Sequence, residues 1–220
     1  MGSSGGIGGA MNDRLKADDR FESVATLSRG TDGLDITDEA SVAAAAQRMS
    51  QMHGTFDLII NATGALTIDG VGPEKTIKAI NPDVMMRQFL VNAVRPALLL
   101  KHFHALLPRE GRSVFATLSA RVGSIGDNRL GGWISYRAAK AALNQIIKTA
   151  SIEIARTHPG AIVVALHPGT VATQLSQTFT HGHQTMMPEV AAERLLGVIE
   201  RLEQGQTGEF LSYDGTPIEW

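Results

Sequence analysis

The chain has 220 residues, a formal net charge of −2 and no cysteine. That length suits one domain with a substantial core, and the balanced charge excludes a basic nucleic-acid face. Disulfides, thiolate metal sites and cysteine nucleophiles are excluded, and no apolar run approaches the ~20 residues that cross a bilayer.

In chain order, Gly2-Ser3-Ser4-Gly5-Gly6-Ile7-Gly8 opens a helical segment running to about Lys16. A strand is expected over 23–28, then a helix over 38–52 begun by Asp38. A strand over 56–61 and a long helix over 82–107 follow, the latter striped by Met85, Phe89, Asn92, Pro96, Leu99, Phe103 and Leu106. Asn92 is the polar intruder on that face and needs buried partners, and Pro96 predicts a kink close by. Further strands are expected over 113–119, 161–167 and 209–213, and helices over 133–157 and 188–204. Alternation of this kind, with apolar strands that lack strict period two, predicts an α/β fold: a Rossmann-like, doubly wound parallel sheet covered on both faces. No repeat, low-complexity stretch or linker divides residues 1–220, so a single domain is expected. No secretory signal is evident, and the expected location is cytoplasmic.

The glycine loop has the character of a phosphate-binding turn, in which glycines let the backbone approach a pyrophosphate at a helix N-terminus. Such a turn normally follows a strand, yet only Met1 precedes Gly2. The first strand is therefore missing from the expected sheet. Either a segment before Met1 is absent or the residues before Asp35 are rearranged. Beyond the glycines, where an acid often meets the ribose hydroxyls, the chain offers Ser28 and Arg29. Arginine suits a 2′-phosphate, which points to NADP(H) over NAD(H). Asp35 can accept from an adenine amine.

Tyr136 and Lys140 lie four residues apart at the start of a long helix, on a face continued by Leu143, Ile147 and Ala150. Both heads should point inward. An ammonium beside a phenol favours the phenolate, so a lowered Tyr136 pKa and a proton donor suited to neutral pH are expected. An ordinary helix start with a half-buried Tyr and a snorkelling Lys is the plainer reading of the pair alone. His181 and His183 lack further ligands, and no metal site is expected.

Taken in order, these pieces resemble the short-chain dehydrogenase/reductase family, and within it the C-factor-like proteins and sniffer-type carbonyl reductases. Gly2, Gly6 and Gly8 match the family's cofactor turn, with Ser4 and Ile7 beside them. Asp35, followed by Ile36, matches its adenine-contacting acid. Asn61-Ala62-Thr63-Gly64 resembles its Asn-Asn-Ala-Gly segment. Asn92 falls where the family keeps a helix asparagine that anchors a proton-relay water. Tyr136 and Lys140 match the catalytic pair. Pro168, Gly169, Val171 and Thr173 match the segment that closes over the nicotinamide, and Tyr213-Asp214-Gly215 to Trp220 looks specific to the subgroup. The catalytic serine departs from the pattern: the usual Ser-Ser pair reads Ser119-Ala120, which leaves Ser124, and behind it Ser119, as substitutes.

The resemblance implies a reductase in which NADPH delivers hydride to an aldehyde, ketone or quinone while Tyr136 protonates the oxygen. Lys140 would hold the nicotinamide ribose, a serine would polarise the carbonyl, and the segment from Gln174 to Met187 would line the substrate pocket. It also implies a homodimer through the helices carrying Asn92 and Tyr136. The rival reading, resting on Ala120 and the missing strand, is a scaffold with weak or no turnover that acts in binding or cell–cell signalling.

Overall fold

The computed structural model describes residues 1–173 and 185–220. Among the described residues the sheet has four parallel strands in the order β1 (Leu58–Asn61), β2 (Ser113–Leu118), β3 (Ala161–His167) and β4 (Phe210–Ser212). Registers such as Ile59 opposite Phe115 and Phe115 opposite Val163 align these strands at their carboxyl ends. Because successive side chains point to opposite faces, the uninterrupted apolar runs divide between two cores. Phe115, Val163, Ala165 and Phe210 pack with Leu99, Phe103, Leu143 and Ile147 on one face. Ala116, Ile162, Val164 and Leu211 pack with Met11, Leu195 and Val198 on the other.

The first face is covered by α3 (Glu39–His53), α5 (Arg95–Phe103) and α6 (Ile134–Ile154), and the second by α1 (Gly6–Lys16) and α7 (Pro188–Arg201). Two short helices complete the set: α2 (Arg29–Asp32) and α4 (Pro82–Phe89). Asp38 caps α3 by accepting from the Ala40 N–H at 3.0 Å, as its sequence position predicts.

Three expected elements differ. Residues 23–28 are not a strand. Their backbone makes no ladder, and Arg29 opens the helical turn α2 rather than ending a strand. The cause lies in what stands beside them. Met1 and Gly2 wedge between this segment and β1: the Met1 amine donates to the Ile60 carbonyl at 2.7 Å, the Ala62 N–H donates to Met1, and the Gly2 N–H reaches the Leu27 carbonyl at 3.0 Å. This bridge is too short to offer residues 23–26 a partner ladder. Recesses of about 100 and 60 Å³ flank it, walled by residues that include Phe21, Ala25 and Leu58 on one side and Met49, Phe56 and Phe103 on the other.

The second difference is the long helix after Pro82. It breaks into α4, a wide π turn over Leu90–Val94, α5, and a 3-10 turn over His104–Leu106. Pro96 sits at the start of α5, so the irregularity lies immediately before the proline, which can neither donate to the ladder nor tolerate the carbonyl below it. Third, the last strand shortens to Phe210–Ser212, and Asp214 accepts from the Thr216 N–H in the turn that follows.

Candidate active site

The carboxyl ends of β1, β2 and β3 open onto a cleft of about 710 Å³, where an open α/β sheet receives ligands. Its walls bring together Ser4, Gly6, Ile7, Gly8, Ala62, Thr63, Gly64, Ser119, Tyr136, Lys140, Pro168 and Thr173 from the sequence-based set. Gly5, Ala65, Leu118, Ala172 and Pro188 also line it.

Helix α6 begins after Gly131, Gly132 and Trp133, all at positive φ, which turn the chain sharply into its first turn. Tyr136 and Lys140 then share the face that carries Leu143 and Ile147 into the core. They remain 8% and 4% exposed. The Lys140 ammonium lies 5.9 Å from the Tyr136 ring centroid and donates to the Leu118 carbonyl at 3.2 Å. Gly64, at φ +153°, leaves room for this head; a Cβ there would stand 3.5 Å from Nζ and 3.2 Å from the Asn92 Oδ1.

The expected lowering of the Tyr136 pKa does not occur. Burial pushes the phenol up, well beyond its ordinary range, and pushes Lys140 down to about 8. Both shifts have the same cause. Taking either group out of water penalises its charged form. The phenol therefore keeps its proton at neutral pH.

Asn92 is wholly buried within the π turn, where its amide clamps one residue from both sides. Oδ1 accepts from the Ala65 N–H at 3.0 Å, while Nδ2 donates to the Ala65 carbonyl and to the Gln88 Oε1, each at 2.8 Å. Gln88 in turn donates to the Leu66 carbonyl at 2.9 Å. Gln88 escaped the sequence reading, although its i−4 position on the Asn92 face was a usable signal. Asn61 accepts from the Thr63 N–H and hydroxyl through Oδ1, and its buried Nδ2 has no partner among the described residues.

The two serine candidates separate. Ser119 lines the cleft and donates to the Asn144 Oδ1 at 2.6 Å. Ser124 does not line it; its hydroxyl accepts from the Asp127 N–H at 3.0 Å and is buried under that turn. Asn144 was not foreseen, and its buried Nδ2 also has no partner among the described residues.

Other expected residues lie at the periphery. Gly2 sits beneath the glycine turn, where a Cβ would press on the Ala62 carbonyl carbon at 2.9 Å. Arg29 is exposed, Ile36 is half-buried against the core, and the Thr37 N–H holds the Asp35 carboxyl below its usual range. Val171 is buried beyond the cleft wall, and Gly169 backs onto the Tyr213 ring. Most of the segment expected to line a substrate pocket, residues 174–184 with both histidines, lies outside the described residues. Among the described residues no cluster of metal ligands occurs, and no helix is long and apolar enough to cross a membrane.

The glycine turn fits a dinucleotide. A Cβ at Gly8 would run into the Gly2 carbonyl, so the backbone there packs as closely as this turn requires. Helix α1 starts at Gly6 with no side-chain cap and no acid in its first turn, which leaves its N–H groups and positive dipole end facing the cleft.

A family model described as enoyl-(acyl carrier protein) reductase matches residues 10–216. The chain is 35% identical to the 1-hydroxy-2-glutathionyl-2-methyl-3-butene dehydrogenase of Rhodococcus sp. (strain AD45), across 86% of this chain and 79% of that one. It is 36% identical to the C-signal protein of Myxococcus xanthus, across 76% and 94%. The crystal structure of an NADPH-bound carbonyl reductase from chicken fatty liver superposes over 100% of this chain and 96% of the other, with a TM-score of 0.81 and 25% identity. The chain belongs to the short-chain dehydrogenase/reductase family of oxidoreductases.

Lys140 carries a measurable cost. With its folded pKa near 8 against 10.5 unfolded, its contribution is complete above pH 10.5 and lost as pH falls through 8, so at pH 7 the full penalty stands. Lys140→Met should raise stability at pH 7 by about 1–3 kcal/mol while weakening dinucleotide binding. Urea unfolding with NADPH calorimetry checks both, and a destabilised variant would mean the ammonium is solvated.

Proposed function

We propose that this protein is an NADP(H)-dependent reductase of aldehydes, ketones or quinones. The observation that carries the reading is a buried, protonated Tyr136 beside Lys140 in a cleft whose other wall is a glycine turn. When bound, NADPH supplies a hydride to the carbonyl carbon. Tyr136 donates its Oη proton to the carbonyl oxygen as negative charge develops there, which is the service a neutral phenol can perform. Lys140 holds the ribose hydroxyls at the foot of the cleft and stabilises the phenolate left behind. Ser119 polarises the carbonyl by turning its hydroxyl from Asn144 toward the substrate, and Asn92 fixes the loop that a proton-relay water would adjoin.

At the adenosine end, Ser4, Gly6, Ile7 and Gly8 receive the pyrophosphate, with Gly2 supporting the turn from beneath. Ser28 and Arg29 receive the 2′-phosphate, while Asp35 and Ile36 border the adenine. Ala62, Thr63 and Gly64 floor the site with Asn61 behind them, and Pro168 and Thr173 border the nicotinamide, backed by Gly169 and Val171. The exposed apolar side chains Met86, Leu90 and Val94 suit a second copy packed against the α4–α5 face, so a homodimer belongs to the same proposal.

The likeness to C-signal supports a second reading, binding or signalling with little turnover. Calorimetry separates the two, because a folded protein that takes up neither NADPH nor NADH favours signalling.

Purified protein should consume NADPH with at least one member of a panel of aldehydes, ketones and quinones. Tyr136→Phe should lower kcat by about 10²–10⁴-fold, and turnover that persists would remove the assigned acid. Arg29→Ala should narrow the preference for NADPH over NADH by roughly 10-fold or more, since a charge-assisted contact is worth about 1.5–3 kcal/mol. Equal preference in the unaltered protein would refute the 2′-phosphate role.

A further inference from the structure

We propose that Glu74 is a positioning residue for Tyr136, capping from the segment between β1 and α4 the helix that carries the phenol. The proposal rests on the carbonyl-reductase reading above and adds a residue to it.

Helix α6 cannot cap itself. Trp133, its first flanking residue, is left-handed at φ +54°, its side chain makes no cap, and the first turn holds no acid. The first N–H groups of a helix still need acceptors, and its positive end still favours an anion. Glu74 supplies both from 61 residues upstream. Its Oε1 accepts from the Ser135 N–H at 2.7 Å and from the Ser135 hydroxyl at 2.5 Å. Its main-chain carbonyl accepts from the Trp133 N–H at 2.6 Å. Thus one residue holds Trp133 and Ser135, on the approach to Tyr136, and the Trp133 ring meets the Tyr136 ring edge-on at 6.3 Å.

The anchor is itself anchored. Glu74 belongs to the excursion of residues 62–81 between β1 and α4, whose start is clamped where Asn92 grips Ala65 and Gln88 grips Leu66. The contacts form a continuous series: the π turn, the excursion, Glu74, Ser135, Tyr136, Lys140, and the Leu118 carbonyl at the end of β2. Gly132 lets the strands of this series approach, since a Cβ there would lie 3.4 Å from the Lys75 carbonyl oxygen. A carboxylate acting only for solubility would not be turned inward; here the second oxygen, Oε2, is buried and has no partner among the described residues. The cap therefore works through one acceptor oxygen, which glutamine also possesses.

The test uses the full chain with NADPH and the best substrate of the carbonyl panel. Glu74→Ala should lower kcat by about 10- to 100-fold with the NADPH KM within about 2-fold, the pattern of a misplaced acid rather than a lost binding contact. Glu74→Gln should recover kcat to within about 3-fold. In a Tyr136→Phe background, Glu74→Ala should leave the residual rate unchanged, because the residue it positions has lost its proton. Hydrogen exchange supplies a readout free of turnover: the amides at the start of α6 should exchange about 10-fold faster in Glu74→Ala and remain protected in Glu74→Gln, with β2 and β3 unaffected. Unaltered kcat and exchange in Glu74→Ala would overturn the proposal. So would an equal further loss of rate in the Tyr136→Phe background. A parent protein that reduces no carbonyl would instead defeat the functional reading, while the exchange data would still decide whether Glu74 caps the helix.

Discussion

The structure turns on an ammonium taken out of water. Lys140 is buried almost completely, and a charge in that position must be held by oriented oxygens or lose its proton. The Leu118 carbonyl provides one such oxygen, and it does so only because β2 ends at that residue and α6 crosses its end. Gly64 and Gly123 make the crossing possible, since a Cβ at Gly123 would press within 2.9 Å on Lys140 itself. Burial leaves the phenol neutral and the amine easily discharged. A phenol held neutral in this way releases its proton less readily than a free one, so proton transfer from it requires the adjacent ammonium and an acceptor oxygen that is gaining charge.

Around that pair the backbone departs from regularity where position matters. An unbroken helix from Pro82 onward would retain its full hydrogen-bond ladder, but the π turn over Leu90–Val94 swells the helix beside the excursion that Asn92 clamps. The wide turn sacrifices ladder regularity, and the amide offsets this with bonds to both polar groups of Ala65. The serine region shows the reverse economy. With Ala120 in place of a second hydroxyl, Ser119 is left with Asn144 as partner, and Ser124 is spent on holding its own turn.

Beside β1 the chain is irregular rather than a strand. Met1 and Gly2 carry the hydrogen bonds between β1 and the segment before Arg29, and a buried amine stands where an amide N–H would make the same contact without charge. The glycine turn nevertheless keeps its form, because Gly8 packs on the Gly2 carbonyl and α1 is held against α7.

Much of this was legible in the amino acids. Apolar runs without alternation announced a sheet covered twice, and the four-residue spacing of Tyr136 and Lys140 put both on one helical face whatever the rest of the chain did. Local periodicity carries such information because helix and strand geometry are properties of the backbone alone. The sequence also placed Asn92 on a buried face and required it to find partners. It could not name them, since Ala65 and Gln88 become its partners only when a loop and a helix meet. The direction of the Tyr136 shift, the choice between Ser119 and Ser124, the loss of the strand before Arg29 and the reach of Glu74 to Ser135 were decided by tertiary packing. Each depends on how much water is excluded, or on which distant group stands opposite, and neither quantity is encoded by any short stretch of chain.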